Sequence, residues 1–342
     1  MTTESKRKHS TDSEYSGDSA DSDDAAESSD SDSKPPQKIP KYNKYGKPKY
    51  FLASNFRNIL PLNWKSQIAA WCTEDLPPFD YAEHVVGHEV KTATLYGKSE
   101  GYLAGVPFFE EVFHYLGCEV KWHVNEGVLL EDKADEKTAI ATVTGPVNKI
   151  LYGETTAIDL LSRCSAIATQ TSTLNTSLES INHSSLTVAA NTHSMTPGFR
   201  LVEEYGLSVG GVHCKQFDPS STILLDQNHI KACKSVNNMI EVAKAACGLT
   251  CKIVLTVDNE RDAISACRVC VDTIKLENLQ AQEIKSIINK SRGMNSPSLF
   301  AIQHEVTRYW HYETSSSEPN IIYSNRFHEG CMPMNFYLEL NH

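Results

Sequence analysis

The residues best suited to chemistry concentrate in one stretch, NTHSMTPGFRLVEEYGLSVGGVHCKQFDPSSTILLDQNHI, residues 191–230. It contains His193, Ser194, Arg200, Lys215, Gln216, Asp218, Asp226, Asn228 and His229, the last two expected to fix a loop by hydrogen bonds to backbone. Arg200 and Lys215 are cations that suit an anionic ligand, and Asp226 carries the opposite charge. A Pro197-Gly198 turn leads into an amphipathic run (Phe199, Leu201, Val202, Tyr205, Leu207). A Gly210-Gly211 bend follows, then a short apolar run, Thr222 to Leu225, that stops at Asp226. The order strand end, turn, helix, glycine bend, strand end suits an α/β barrel, whose chemistry sits in the loops at the carboxyl ends of its strands.

Elsewhere the chemical signal is thin. His84, His88, His114 and His123 do not stand at metal-ligand spacing with acids on a helical face. Cys267-x-x-Cys270 and Cys247-x3-Cys251 each lack a second pair at zinc-finger spacing, so no zinc site is expected. The ten cysteines are scattered through apolar runs and read as reduced, mostly buried thiols. The chain has no nucleophile elbow, Walker loop or GxGxxG.

Two kinds of pattern must position the site. Residues 55–72 predict a helix after Pro61. TATLYGKS, EVKWHV and AIATVTG read as strands around a helix from Pro107 to Leu116, an α+β layer. A long helix is expected from Ile150 to Leu174. From Ser185 onward SLTVAAN, STILLD, CKIVLTV, DTIKLEN, SLFAIQ and NIIYS alternate with helices, including Ser235 to Cys247, Glu260 to Cys270 and Ala281 to Ser291. Such alternation with short links implies parallel strands joined by crossover helices, and a last helix is expected to close the series.

TPGFRLVEEYG (Thr196 to Gly206), Gly210-Gly211, the Asp218 region and Asn228-His229 resemble the quinolinate phosphoribosyltransferase family. GKSEGYLAGVPFFEEVFHYLGCEVKW and LLSRCSAIAT continue the resemblance upstream, so that it covers roughly residue 55 to the C-terminus. It implies a type II phosphoribosyltransferase fold, an α/β sandwich (51–165) followed by an incomplete α/β barrel (166–342) with a C-terminal helix. It also implies a homodimer in which the first domain covers the partner's barrel mouth. The family transfers a phosphoribosyl group from PRPP to quinolinate, releasing pyrophosphate and carbon dioxide. Such anions call for Arg and Lys forks and backbone amides, with magnesium neutralising the departing charge.

Residue by residue, the resemblance is uneven. Arg163 stands where the family has an Arg reaching a neighbouring subunit's site, and Arg200 is kept. The family's Arg-Lys pair falls on His193 and Ser194, its His-Arg pair on Lys215 and Gln216, and a Lys on Asp226. A strand-end Glu falls on Thr256, an Asp on Glu277, and the last phosphate-binding Gly on Asn325. The phosphate loop falls near Ala301 to Val306, which holds no glycine. Losing two or three charge-assisted bonds at ~1.5–3 kcal/mol each costs several orders of magnitude in binding or rate. The packing motifs match and the ligand positions do not. The leading expectation is therefore a pseudoenzyme used for binding or scaffolding, with Arg163 and Arg200 in structural roles and no cofactor. An active nicotinate-nucleotide pyrophosphorylase in NAD biosynthesis, magnesium-dependent, is the alternative. It would need cations at the barrel mouth, for which Lys215, Lys252 and Lys275 are available. A binder of a less anionic small molecule is a third reading, with a pocket lined by His193, Met195 and Gln216.

Charge narrows the partners. The net charge is −11, and residues 1–50, with nine Lys/Arg against ten Asp/Glu, contribute little of it. So acidic a body is a poor nucleic-acid surface. Residues 10–33 hold nine acids, no base and one aromatic, Tyr15, too little apolar surface to offset chain entropy, so a disordered tail is expected over 1–50. Serines beside acids (Ser13, Ser22, Ser29, Ser31) suit acidophilic kinases, and Lys6-Arg7-Lys8 is a short import-type cluster. A tail tuned by phosphorylation, a protein partner bound through the tail or outer surface, and a cytoplasmic or nuclear location follow as expectations. No run of 18 apolar residues is present, so no membrane span is expected.

Overall fold

The computed structural model describes residues 56–75, 81–131, 138–181, 187–190, 195–212, 221–248, 250–303 and 319–341. The expected tail, and the site positions His193, Ser194, Lys215, Gln216 and Asp218, lie outside these residues.

After a single 3-10 turn at Phe56–Ile59, the first layer runs α1 (Trp64–Asp75), α2 (Tyr81–Val86), β1 (Val90–Gly97), β2 (Gly101–Tyr102), α3 (Val106–Tyr115), β3 (Glu119–Trp122), β4 (Leu129–Leu130) and β5 (Thr138–Pro146). Strands β1, β5 and β3 are antiparallel neighbours. Pro107 suits the first turn of α3, where no amide needs an intrahelical partner, and the helix buries Phe108, Phe109, Val112 and Phe113. Phe108 is wedged edge-on between Trp64 of α1 and Tyr205, with ring centroids 6.0 and 5.0 Å away.

Helix α4 (Val147–Ile181) joins the two layers. Ile150, Ala157, Leu160, Leu161, Cys164, Ile167, Ala168 and Thr171 are all buried along it, a stripe at three- and four-residue spacing. It is longer at both ends than the sequence pattern predicts, because its polar last turns carry no apolar period. The chain continues through β6 (Thr187–Ala190), α5 (Arg200–Val209), β7 (Thr222–Leu225), α6 (Gln227–Cys233), α7 (Val236–Cys247), β8 (Lys252–Val257), α8 (Glu260–Arg268), β9 (Thr273–Leu276), α9 (Ala281–Gly293), β10 (Leu299–Gln303), β11 (Ile321–Ser324) and β12 (Phe336–Leu340). Six strands form one parallel sheet in the order β6-β11-β10-β9-β8-β7, the expected incomplete barrel.

Helix α5 lies against α4 through two glycines. A Cβ on Gly206 would stand 2.8 Å from the Cys164 carbonyl oxygen, and one on Gly210 would stand 2.5 Å from Thr171 Cβ. Those positions of the TPGFRLVEEYG and double-glycine motifs are thus packing requirements. Leu255, Val257, Ile274, Leu276, Phe300, Ile302 and Ile322 share one apolar core with Val236, Ile240, Ala263, Ile284 and Ile288 of the outer helices. The alternate positions Thr256, Lys275, Ala301 and Tyr323 therefore face the barrel interior.

Two expectations are corrected. The chain does not close on a helix: β12 is a strand paired antiparallel with β1, so the C-terminus returns to the first layer and completes a four-stranded sheet β12-β1-β5-β3. Asn228 and His229, expected in a loop, sit in the first turn of α6, a helix that the polar run QNHIKAC does not announce.

Candidate active site at the strand ends

Asp226 ends β7 and caps α6. Its Oδ1 accepts from the backbone amides of Asn228 and His229 at 2.9 and 3.1 Å, and His229 Nδ1 lies 2.6 Å from the same oxygen. The imidazole contact first, then the amides, holds the Asp226 carboxyl below the ordinary carboxylate range, so it is ionised at neutral pH. The negative charge of Asp226 is therefore put to use in capping a helix. Asp226→Ala is expected to cost about 1 kcal/mol in urea denaturation. A folded pKa below the unfolded value supplies stability above the unfolded value and loses it as pH falls through the folded one. The difference between parent and variant should accordingly shrink in acid.

The interior of the sheet holds a compact polar cluster. Thr256 of β8, Lys275 of β9 and Ala301 of β10 are cross-strand neighbours. Lys275 Nζ lies 3.5 Å from Glu277 Oε1 and 3.9 Å from the ring centroid of Tyr323 on β11. The Tyr323 hydroxyl donates to Glu277 Oε1 at 3.0 Å, and the Glu277 amide is tied to the Val257 carbonyl at 3.0 Å. Burial lowers the Lys275 pKa from its ordinary value, opposed by the Glu277 charge. Thr256 and Glu277 thus lie at the carboxyl ends of the adjacent strands β8 and β9. Lys275 points inward, an aim the sequence left open, and Tyr323 was missed because an aromatic in NIIYS reads as core. Lys252 is a correction: it is exposed at the amino end of β8, at the rim opposite the strand ends.

Arg163 and Arg200 do not reach this cluster. Arg163 Nη2 donates to Glu203 Oε1 at 3.1 Å and to the His328 carbonyl at 3.2 Å, while Nη1 donates to the Cys331 carbonyl at 3.1 Å. Glu203 is buried and also accepts from the Thr196 amide and hydroxyl at 2.9 and 2.8 Å. Arg200 pairs with Glu204 one turn along α5, at 3.8 Å. Met195, expected to line a pocket, is buried in the core of the first layer. An open cleft of about 710 Å³ does exist, lined by α4 residues Thr169, Gln170 and Thr173 and by Arg326, Glu329 and Met332 of the loop that follows β11, and not by Thr256, Lys275 or Glu277. No three His, Cys, Asp or Glu side chains among the described residues converge as a metal site. Glu277, at the position of a family Asp, is engaged by Lys275, a poor fit for a magnesium ligand.

The sequence matches the model of the quinolinate phosphoribosyl transferase N-terminal domain over residues 80–165 and that of the C-terminal domain over 167–304. The chain belongs to the quinolinate phosphoribosyltransferase family. Relatives named nicotinate-nucleotide pyrophosphorylase (carboxylating) include the Dictyostelium discoideum protein, 34% identical over 229 residues that span 64% of this chain and 76% of that one. The human protein is also 34% identical, over 225 residues, 66% of this chain and 73% of that one. The solved structure of NadC from Streptococcus pyogenes shares the fold, with a TM-score of 0.70 at 24% identity, covering 82% of this chain and 97% of that one. Family membership rests on both layers. No helix among the described residues is long and apolar enough to cross a membrane.

Proposed function

We propose that this member of the quinolinate phosphoribosyltransferase family does not transfer phosphoribosyl groups, and that its fold serves binding or scaffolding. The observation that carries this reading is the charge of the described strand ends. Asp226 is ionised there, and the interior cation Lys275 is already balanced by Glu277. Two anionic substrates would meet one negative cap and no uncommitted cation among the described site positions. Arg163 is spent on Glu203 and two carbonyls of its own chain. On this reading the chain forms a homodimer, with the N-terminal tail serving regulation or localisation.

A second reading has a specific support. Relatives about a third identical over most of their length are named as the carboxylating pyrophosphorylase, which favours an active enzyme converting quinolinate and PRPP to nicotinate mononucleotide. Lys275 is an inward cation that such an enzyme could use. Isothermal titration with quinolinate, and with PRPP plus magnesium, alongside chromatographic detection of nicotinate mononucleotide separates the two. We expect neither binding nor product. Turnover would sink the first reading and establish the second.

A further inference from the structure

A buried lysine beside a carboxylate on the inner face of a barrel strand has a chemistry of its own, independent of phosphoribosyl transfer. We propose that Lys275 is a carbonyl-reactive amine, with Glu277 as its proton carrier, that forms an imine with a small uncharged aldehyde or ketone. Lys275 is not among the positions that the family resemblance assigns to its ligands. The inference holds whichever reading of the transfer reaction is correct.

Three features of the geometry support it. The Lys275 side chain is 12% exposed, with Nζ 3.5 Å from Glu277 Oε1, close enough for proton exchange on a small movement. The Tyr323 hydroxyl fixes that carboxylate from the other side at 3.0 Å. The cross-strand neighbours of Lys275 on the same face are Thr256 and Ala301, both short and neither carrying a charge that would compete with Glu277 for the amine. Burial also favours the neutral amine, the nucleophilic form.

The step balances within the cluster. The Lys275 ammonium passes one proton to the Glu277 carboxylate, and the free amine adds to the carbonyl carbon. A second proton shifts from nitrogen to the former carbonyl oxygen, giving a neutral carbinolamine. Glu277 returns its proton to that hydroxyl, the C–O bond breaks, and water leaves. The C=N bond forms as an iminium facing the restored Glu277 carboxylate. Reactant ammonium and product iminium carry the same single positive charge at the same place, over the Tyr323 ring, 3.9 Å away in the starting state. A partner bearing its own carboxylate or phosphate would be repelled by Glu277, so the class is uncharged.

The test is reductive trapping on the full chain: acetaldehyde with sodium cyanoborohydride at neutral pH, then peptide mapping by mass spectrometry. The folded protein should be ethylated at Lys275 about tenfold or more faster than at the exposed Lys231, Lys234 and Lys252. Lys275→Arg, checked for folding by circular dichroism, should lose that fast adduct and keep the slow ones. Labelling of the exposed lysines first, with Lys275 reacting only in urea, would overturn the proposal and leave Lys275 as half of an inert ion pair. An undiminished fast adduct in folded Lys275→Arg would overturn it too.

Discussion

Arg163→Met is expected to destabilise the fold by about 3–5 kcal/mol in urea denaturation, with the lower end favoured because the arginine is a quarter exposed. The size comes from what is left behind. Glu203 is 1% exposed and would lose its cation while keeping only the Thr196 amide and hydroxyl, and the carbonyls of His328 and Cys331 would lose their guanidinium donors. An unpaired buried carboxylate costs more than the pair itself contributes, so Glu203→Gln in the same chain should restore part of the loss. The double-mutant cycle would measure the coupling directly. Protomer concentration must be held fixed, since any dimer would add a concentration-dependent share to the stability. A loss below about 1 kcal/mol, in the range of exposed pairs, would show that Arg163 is not held by its own chain and is available to a ligand or second subunit.

That prediction marks where sequence reading worked and where it stopped. The barrel strands were legible because each is a short apolar run bounded by turn residues, and their alternation with amphipathic helices leaves few topologies. The packing role of TPGFRLVEEYG was legible as a resemblance. The reasons for it required the fold: Glu203 anchors Arg163, Gly206 lets α5 approach α4, and Tyr205 reaches Glu126, 79 residues away in the chain. Strand β12 escaped because a strand that pairs with residues more than two hundred positions earlier leaves no local signal. Helix α6 escaped because it buries no residue and is set by its Asp226 cap. In the site, Thr256 and Glu277 were placed by the family resemblance, but the inward aim of Lys275 was not. On a strand of a covered parallel sheet both faces are enclosed, and only the sharing of Ile274 and Leu276 with the outer helices decides which side the lysine takes.

Glu126 should give the fold an inverse dependence on pH. Its Oε2 accepts from the Tyr205 hydroxyl at 2.6 Å, and its Oε1 accepts from the amides of Gly105 and Val106 at 2.7 and 3.1 Å, at the start of α3. These donors and the helix N-terminus favour the charged form, yet burial outweighs them and raises the pKa above the ordinary 4.5. A carboxyl that binds its proton more tightly folded than unfolded loses stability for the native state as pH rises from 4.5 through the folded value. The contribution therefore runs opposite to that of Asp226, and Glu126→Gln should flatten the slope in that window. Tyr205→Phe should remove a hydrogen bond to a buried carboxyl and cost about 1–3 kcal/mol. It also removes a donor that lowers the Glu126 pKa, so the loss of stability with rising pH should extend further toward neutrality. The check is a series of urea denaturations from pH 4 to pH 8 on the parent, both single variants and the double variant. Parallel curves for the parent and Glu126→Gln would mean that the three donors fully offset burial, so that Glu126 titrates alike in the folded and unfolded chain.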